Sequence, residues 1–172
     1  MAELAGHAGR SEEGGAAADD LAPRLAPWLT PGTVIVCIGN ELRGDDAAGP
    51  AVARLLAGRV PWTVVDAQTA PESYLGPIVE ARPGCVLVID ALNFGAAPGT
   101  IEVVEPDRIA GCGPSTHGPA PLMFLEALAG MCPCRRAVVG IQPRRIEFGA
   151  EMSPPVARAV ERLAEALRRL GR

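Results

Sequence analysis

From Thr33 onward the chain alternates short apolar runs with longer amphipathic stretches. Val34-Ile35-Val36-Cys37-Ile38 is continuous and rich in β-branched residues, the pattern of a strand covered on both faces. A Gly-Asn turn follows, and Ala47 to Ala57 then places Val52, Leu55 and Leu56 on one helical face. Trp62 to Val65 reads as a second strand. Pro71 to Ala81 reads as a helix, with proline at its start and Pro83 beyond its end. Cys85 to Ile89 is a third buried strand, and Thr100 to Val104 alternates in part, as a sheet-edge strand does. Pro121 to Ala129 reads as a helix opened by proline, and Ala137 to Ile141 as another strand. Ser153 to Leu170 is a long amphipathic helix with Ser153 as its cap, Pro154 in its first turn, and Val156, Val160, Leu163, Leu167 and Leu170 as its buried stripe.

Ahead of this pattern, Met1 to about Asp20 is Gly, Ala and acids, with too little large apolar surface to offset the entropy of ordering. Residues 1–30 are therefore expected to be a disordered or extended lead-in, within which Leu21 to Leu29 forms either a short helix or an extended segment. Residues 31–172 are expected to form a single domain. Strands alternating with helices predict an α/β fold, a three-layer sandwich with a mostly parallel sheet and helices on both faces. In such a sheet the loops that follow the strands gather at one edge, and ligands bind there.

That edge collects the chain's most suggestive chemistry. Asp46 follows the first strand by a short loop, and Asp90 directly follows the third. Of the two histidines, His7 lies in the lead-in, so His117 is the only one in the folded body. It sits in the polar loop Pro114-Ser115-Thr116-His117-Gly118-Pro119, ahead of the helix that leads to the last strand. If the three meet, one imidazole and two carboxylates form an open set for a borderline divalent ion. Asp45 and Asp46 also stand at a helix N-terminus, where carboxylates are stabilised whatever their function, so one of the pair can serve the fold while the other faces the cleft. The loop Gly39 to Gly49 lacks the G-x-G-x-x-G spacing of a dinucleotide site, and its paired aspartates would repel phosphate. No serine or cysteine stands beside a second histidine as a hydrolytic triad requires.

Composition narrows the remaining classes. Hydrophobic residues make up 48% of the 172 and aromatic ones 3%, so the core is aliphatic. A net charge of −4 argues against a binder of the nucleic-acid phosphate backbone, which needs a basic face. No apolar run approaches the roughly 20 residues of a membrane span, and no basic-then-apolar leader opens the chain, so a cytoplasmic protein is expected. The five cysteines include a Cys132-Pro133-Cys134 unit with no second pair, which fits reduced thiols better than a zinc site.

Four motifs occur in order: Gly39-Asn40-x-Leu42-x-Gly44-Asp45-Asp46; Val88-Ile89-Asp90-Ala91 with Pro98-Gly99-Thr100; Ser115-Thr116-His117 with Pro121-Leu122; and Gly140-Ile141-Gln142-Pro143 with Glu147-Phe148-Gly149. Together they resemble the nickel–iron hydrogenase maturation endopeptidases, over about Val34 to Leu167. The resemblance implies a twisted five-stranded sheet between helices. It implies an endopeptidase that removes a C-terminal extension from the hydrogenase large-subunit precursor after nickel insertion, with the substrate's nickel as the recognition element. The family's proposed metal-contacting residues fall on Asp46, Asp90 and His117, where an adventitious divalent ion can stand in for nickel. The chain departs from the family pattern where Ala47 replaces a glycine directly after the acidic pair, and in its N-terminal extension. Asp66 to Tyr74 resembles the formate-hydrogenlyase-type branch. The competing functions are a non-cleaving, nickel-dependent chaperone or checkpoint and an independent metallohydrolase. A monomer is expected, because packing the C-terminal helix leaves no exposed apolar stripe.

Overall fold

A computed structural model describes residues 21–109 and 120–172; residues 1–20, Cys112 and His117 lie outside the described residues. The chain opens with a short helix, α1 (Leu21–Leu25), and a 3₁₀ turn (Ala26–Trp28). Of the two forms open to Leu21–Leu29, the segment takes the helix, and Leu21 and Leu25 are buried in the core. Strand β1 (Val34–Ile38) leads through a 3₁₀ turn (Gly44–Ala47) into α2 (Ala48–Leu56). Strand β2 (Thr63–Gln68) leads through a second 3₁₀ turn (Pro71–Tyr74) into α3 (Leu75–Glu80). Then come β3 (Cys85–Ala91), β4 (Ile101–Val104), α4 (Pro106–Ile109), α5 (Ala120–Met131), β5 (Arg135–Ile141) and α6 (Pro154–Leu170).

The strands form one five-stranded sheet in the order β2-β1-β3-β5-β4, with β4 antiparallel to β5 and the other pairings parallel. This is the mostly parallel α/β sandwich that the hydrophobic pattern predicts. Alternate residues of the central strands feed two cores. Ile35, Cys37, Leu87, Ile89, Val139 and Ile141 pack with α1, α2 and α6, while Val34, Val36, Val86, Val88 and Val138 pack with residues of α3 and α5.

The differences from the predicted elements have local causes. The continuous helix expected over Pro71–Ala81 is a 3₁₀ turn followed by α3, because Pro77 lacks the N–H that an interior helical position needs and so must fall in the first turn of the α-helix. Pro50 limits α2 in the same way, and the turn ahead of it, Gly44–Ala47, is 3₁₀. Strand β3 continues past Ile89, so Asp90 lies inside the strand rather than just after it. Ser153 holds the N-cap position of α6 but makes no capping hydrogen bond, because its side chain is engaged elsewhere.

Candidate active site

The loop between β1 and α2 folds back over the carboxyl edge of the sheet. Two glycines permit it. At Gly49, in the first turn of α2, a Cβ would overlap the Ile38 carbonyl oxygen and crowd the carbonyl oxygen of Ile89, so the helix start lies against the ends of β1 and β3. Gly39 has φ +144°, and a Cβ there would overlap the carbonyl oxygen of Asp46. This contact and the hydrogen bonds from Asn40 N to the Asp46 carbonyl (3.2 Å) and to Asp46 Oδ2 (3.1 Å) fix Asp46 beside the strand ends. The Asn40 side chain in turn accepts the Leu42 N–H at 2.9 Å.

Asp45 and Asp46 are both buried but have opposite surroundings. Asp45 Oδ2 accepts the N–H groups of Arg144 (2.8 Å) and Arg145 (3.0 Å) and the Ser153 hydroxyl (2.9 Å), and Oδ1 accepts the Ser153 N–H at 2.6 Å. Its own N–H donates to the Arg145 carbonyl at 3.2 Å. Asp45 is thus a clasp between the β1–α2 loop and the turn that leads into α6. Of the neighbouring pair, it serves the fold and Asp46 faces the other carboxylate.

That other carboxylate is Asp90, buried in β3 opposite Gly140 of β5. Burial pushes its proton affinity well above the usual carboxylate range, the charge of Asp46 pushes it further, and the Ala91 N–H opposes the rise. Two acids held together in a desolvated setting can share a proton or receive a cation, which is what a general acid/base pair or a metal-docking site needs. Among the described residues no three metal-ligating side chains cluster. The structure brings together Asp46 and Asp90 of the predicted trio, and His117 lies outside the described residues.

Since its folded-state pKa is raised above the unfolded value, Asp90 favours the fold when protonated, and that stability is lost as pH climbs from the ordinary carboxylate range through the raised value. Asp90→Asn should therefore melt higher than the wild type at neutral pH and lose less stability across that window. A rise of a few degrees is expected, about 1 kcal/mol being worth roughly 2–4 °C in a domain of this size. Thermal unfolding followed against pH checks this, and identical profiles for the two proteins would refute it.

Two further residues shape this edge. Gln142, buried at the end of β5, accepts the N–H groups of Phe94 (2.9 Å) and Ala96 (3.2 Å) and donates to Asn93 Oδ1 at 3.1 Å, tying down the loop that leaves Asp90. The sequence shows Gln142 inside a motif but gives it no role. Asp66 stands in β2 opposite Cys37, with Oδ1 buried and lacking a hydrogen-bond partner among the described residues. The expected strand ended at Val65, so Asp66 read as loop; β2 in fact runs to Gln68. The Cys37 thiol is raised by its burial first, then by Asp66; the Ala53 backbone opposes the rise and Asp90 adds to it, which places both carboxylates near this thiol. At the opposite end of the sheet, Cys132 and Cys134 are free thiols, and Cys134 is pushed up to about 11 by burial and then by Cys132.

Comparison with known proteins places the fold and the site in context. The family profile described as HycI hydrogenase maturation protease matches residues 51–169. The hydrogenase 3 maturation protease of Escherichia coli K12 is 35% identical over 136 residues, covering 78% of this chain and 87% of that protein. The crystal structure of a NiFe hydrogenase maturation protease, HycI of Thermococcus kodakarensis, superposes with a TM-score of 0.78 at 30% identity, covering 86% of this chain and 97% of that one. The hydrogenase-maturating endopeptidase HybD of E. coli superposes with a TM-score of 0.63 at 25% identity, over 81% and 93% of the two chains. With the profile spanning most of the folded body and the same α/β sandwich beneath it, the chain belongs to the hydrogenase maturation protease family and is a peptidase.

Proposed function

We propose that this peptidase removes the C-terminal extension of a hydrogenase large-subunit precursor once nickel has been inserted, and that it does so as a monomer in the cytoplasm. The observation that carries the reading is the buried Asp46–Asp90 pair at the carboxyl edge of the sheet, where Asp90 is desolvated and faces the charge of Asp46. A divalent ion carried by the substrate would relieve that repulsion, so the pair favours a nickel-loaded precursor over an empty one. His117 supplies the nitrogen donor that an ion of this class takes alongside carboxylates. Absence of a helix long and apolar enough to cross a membrane among the described residues fits a site that meets its precursor in solution.

Two chemistries follow from this arrangement. In one, Asp46, Asp90 and His117 hold the precursor's nickel next to the scissile bond, and a water activated at that centre attacks the carbonyl carbon. In the other, the ion serves docking alone, and Asp46 or Asp90 takes the proton of the attacking water, which passes to the leaving amine as the C–N bond breaks. The test is incubation of the purified protein with nickel-loaded and nickel-free precursor, followed by intact mass measurement. A shortened product from the loaded precursor alone is expected. Equal cleavage of both forms would remove the metal from recognition. Retention of the loaded precursor without shortening would point to a checkpoint protein, and cleavage of unrelated peptides to an independent metallohydrolase.

A further inference from the structure

The carboxyl edge of the sheet also carries exposed apolar side chains that the fold does not use. The chain has three phenylalanines. Phe124 is buried and Phe94 half-buried against the core, but Phe148 is 80% exposed. Leu42 is 61% exposed. The two belong to the loops that follow β5 and β1, which are joined by the Gly149 N–H donating to the Leu42 carbonyl at 2.8 Å. Both loops are tied to the candidate site. The Leu42 N–H donates to Asn40 Oδ1 while the Asn40 N–H donates to Asp46 Oδ2, and Phe148 follows the Arg144–Arg145 turn clasped by Asp45. Large apolar side chains left in water on loops tied to a candidate site offer contact surface to a partner, because burying them on binding recovers free energy. Among the described residues, Met123 and Met131 on α5 are also strongly exposed.

We infer that Phe148 and Leu42 form the substrate-docking lip of this site, receiving an apolar side chain of the precursor close to the scissile bond. The inference rests on the peptidase reading above and adds a specificity element to it. The occupant is the precursor and not a second copy of this chain, because the lip continues directly into the loops that hold Asp45 and Asp46, so whatever sits on it is presented to the carboxylate pair.

The experiment compares wild type with Phe148→Ser, Leu42→Ser and Phe148→Leu on nickel-loaded precursor, measuring kcat and KM, thermal unfolding and elution volume. Neither exposed side chain supports the core, so Tm should stay the same. KM for the serine variants should rise about tenfold or more, the factor expected on losing a buried apolar contact, with kcat retained and Phe148→Leu recovering most of the loss. A wild-type KM in the serine variants overturns the inference. So does an elution shift showing that Phe148→Ser has separated a dimer. If the wild type does not cleave at all, the peptidase reading fails separately. The lip is then judged by retention of precursor on the immobilised proteins, where equal retention by wild type and variants, or none by wild type, overturns it.

Discussion

Asp46→Asn should cut the rate of precursor cleavage by about a hundredfold or more, the usual contribution of a positioned proton acceptor, while leaving the fold intact. The amide is nearly isosteric with the carboxylate, and an oxygen remains to accept the Asn40 N–H now bonded to Asp46 Oδ2. The change also removes the charge that opposes ionisation of Asp90, so the folded state gains rather than loses electrostatically. Cleavage kinetics, precursor retention and thermal unfolding should be measured on the same preparation. If Asp46 holds the substrate's nickel, retention and cleavage fall together. If it acts only as the base, retention persists and cleavage alone is lost. Wild-type cleavage by this variant would eliminate Asp46 from either chemistry and leave the Asp90 environment without its functional explanation.

The adjacent Asp45 and Asp46 show how much of this site can be read in one dimension. The sequence locates both at a helix start beyond a buried strand and shows that one can serve the fold while the other faces the cleft. It does not say which. The answer depends on Arg144, Arg145 and Ser153, which lie 99, 100 and 108 residues further along the chain. Local pattern carries no information at that range. The same long-range capture explains Ser153, whose position and residue type fit a helix cap but whose hydroxyl donates to Asp45. Elements specified by their own periodicity were legible: β1, and the buried stripe of α6 as far as Leu167. Hydrophobic periodicity alone runs through an internal proline, whereas the chain restarts its α-helix so that Pro77 falls in the first turn. Pairing with β1 extends β2 beyond its apolar residues to Asp66 and Gln68, and local pattern does not show that extension.

The counterpart of the Asp46 result is a large loss of stability in Asp45→Ala. Asp45 is fully buried, and its two oxygens accept four hydrogen bonds. Alanine would leave the N–H groups of Arg144, Arg145 and Ser153 and the Ser153 hydroxyl without their acceptor, in a space too confined for bulk water to serve them all. Hydrogen bonds to a charged group contribute about 1.5–3 kcal/mol each, and breaking a buried charge network commonly costs about 3–5 kcal/mol, since the losses do not add in full. Against a total stability of about 5–15 kcal/mol, that removes a large part of the margin. A fall in Tm of about 10 °C is expected, at roughly 2–4 °C for each kcal/mol. Asp45→Asn should fall between alanine and wild type. It keeps one acceptor oxygen but turns an NH₂ group toward backbone N–H donors on one side of the clasp. Cleavage by both variants should recover toward the wild-type rate at temperatures where they remain folded, because Asp45 touches no reacting atom. The pair of aspartates then separates cleanly, with Asp46→Asn stable and inactive and Asp45→Ala unstable but active when folded. A wild-type Tm for Asp45→Ala would mean that its four hydrogen bonds do not hold the β1–α2 loop to α6. Inactivity of that variant at full occupancy of the folded state would place Asp45 in the chemistry after all.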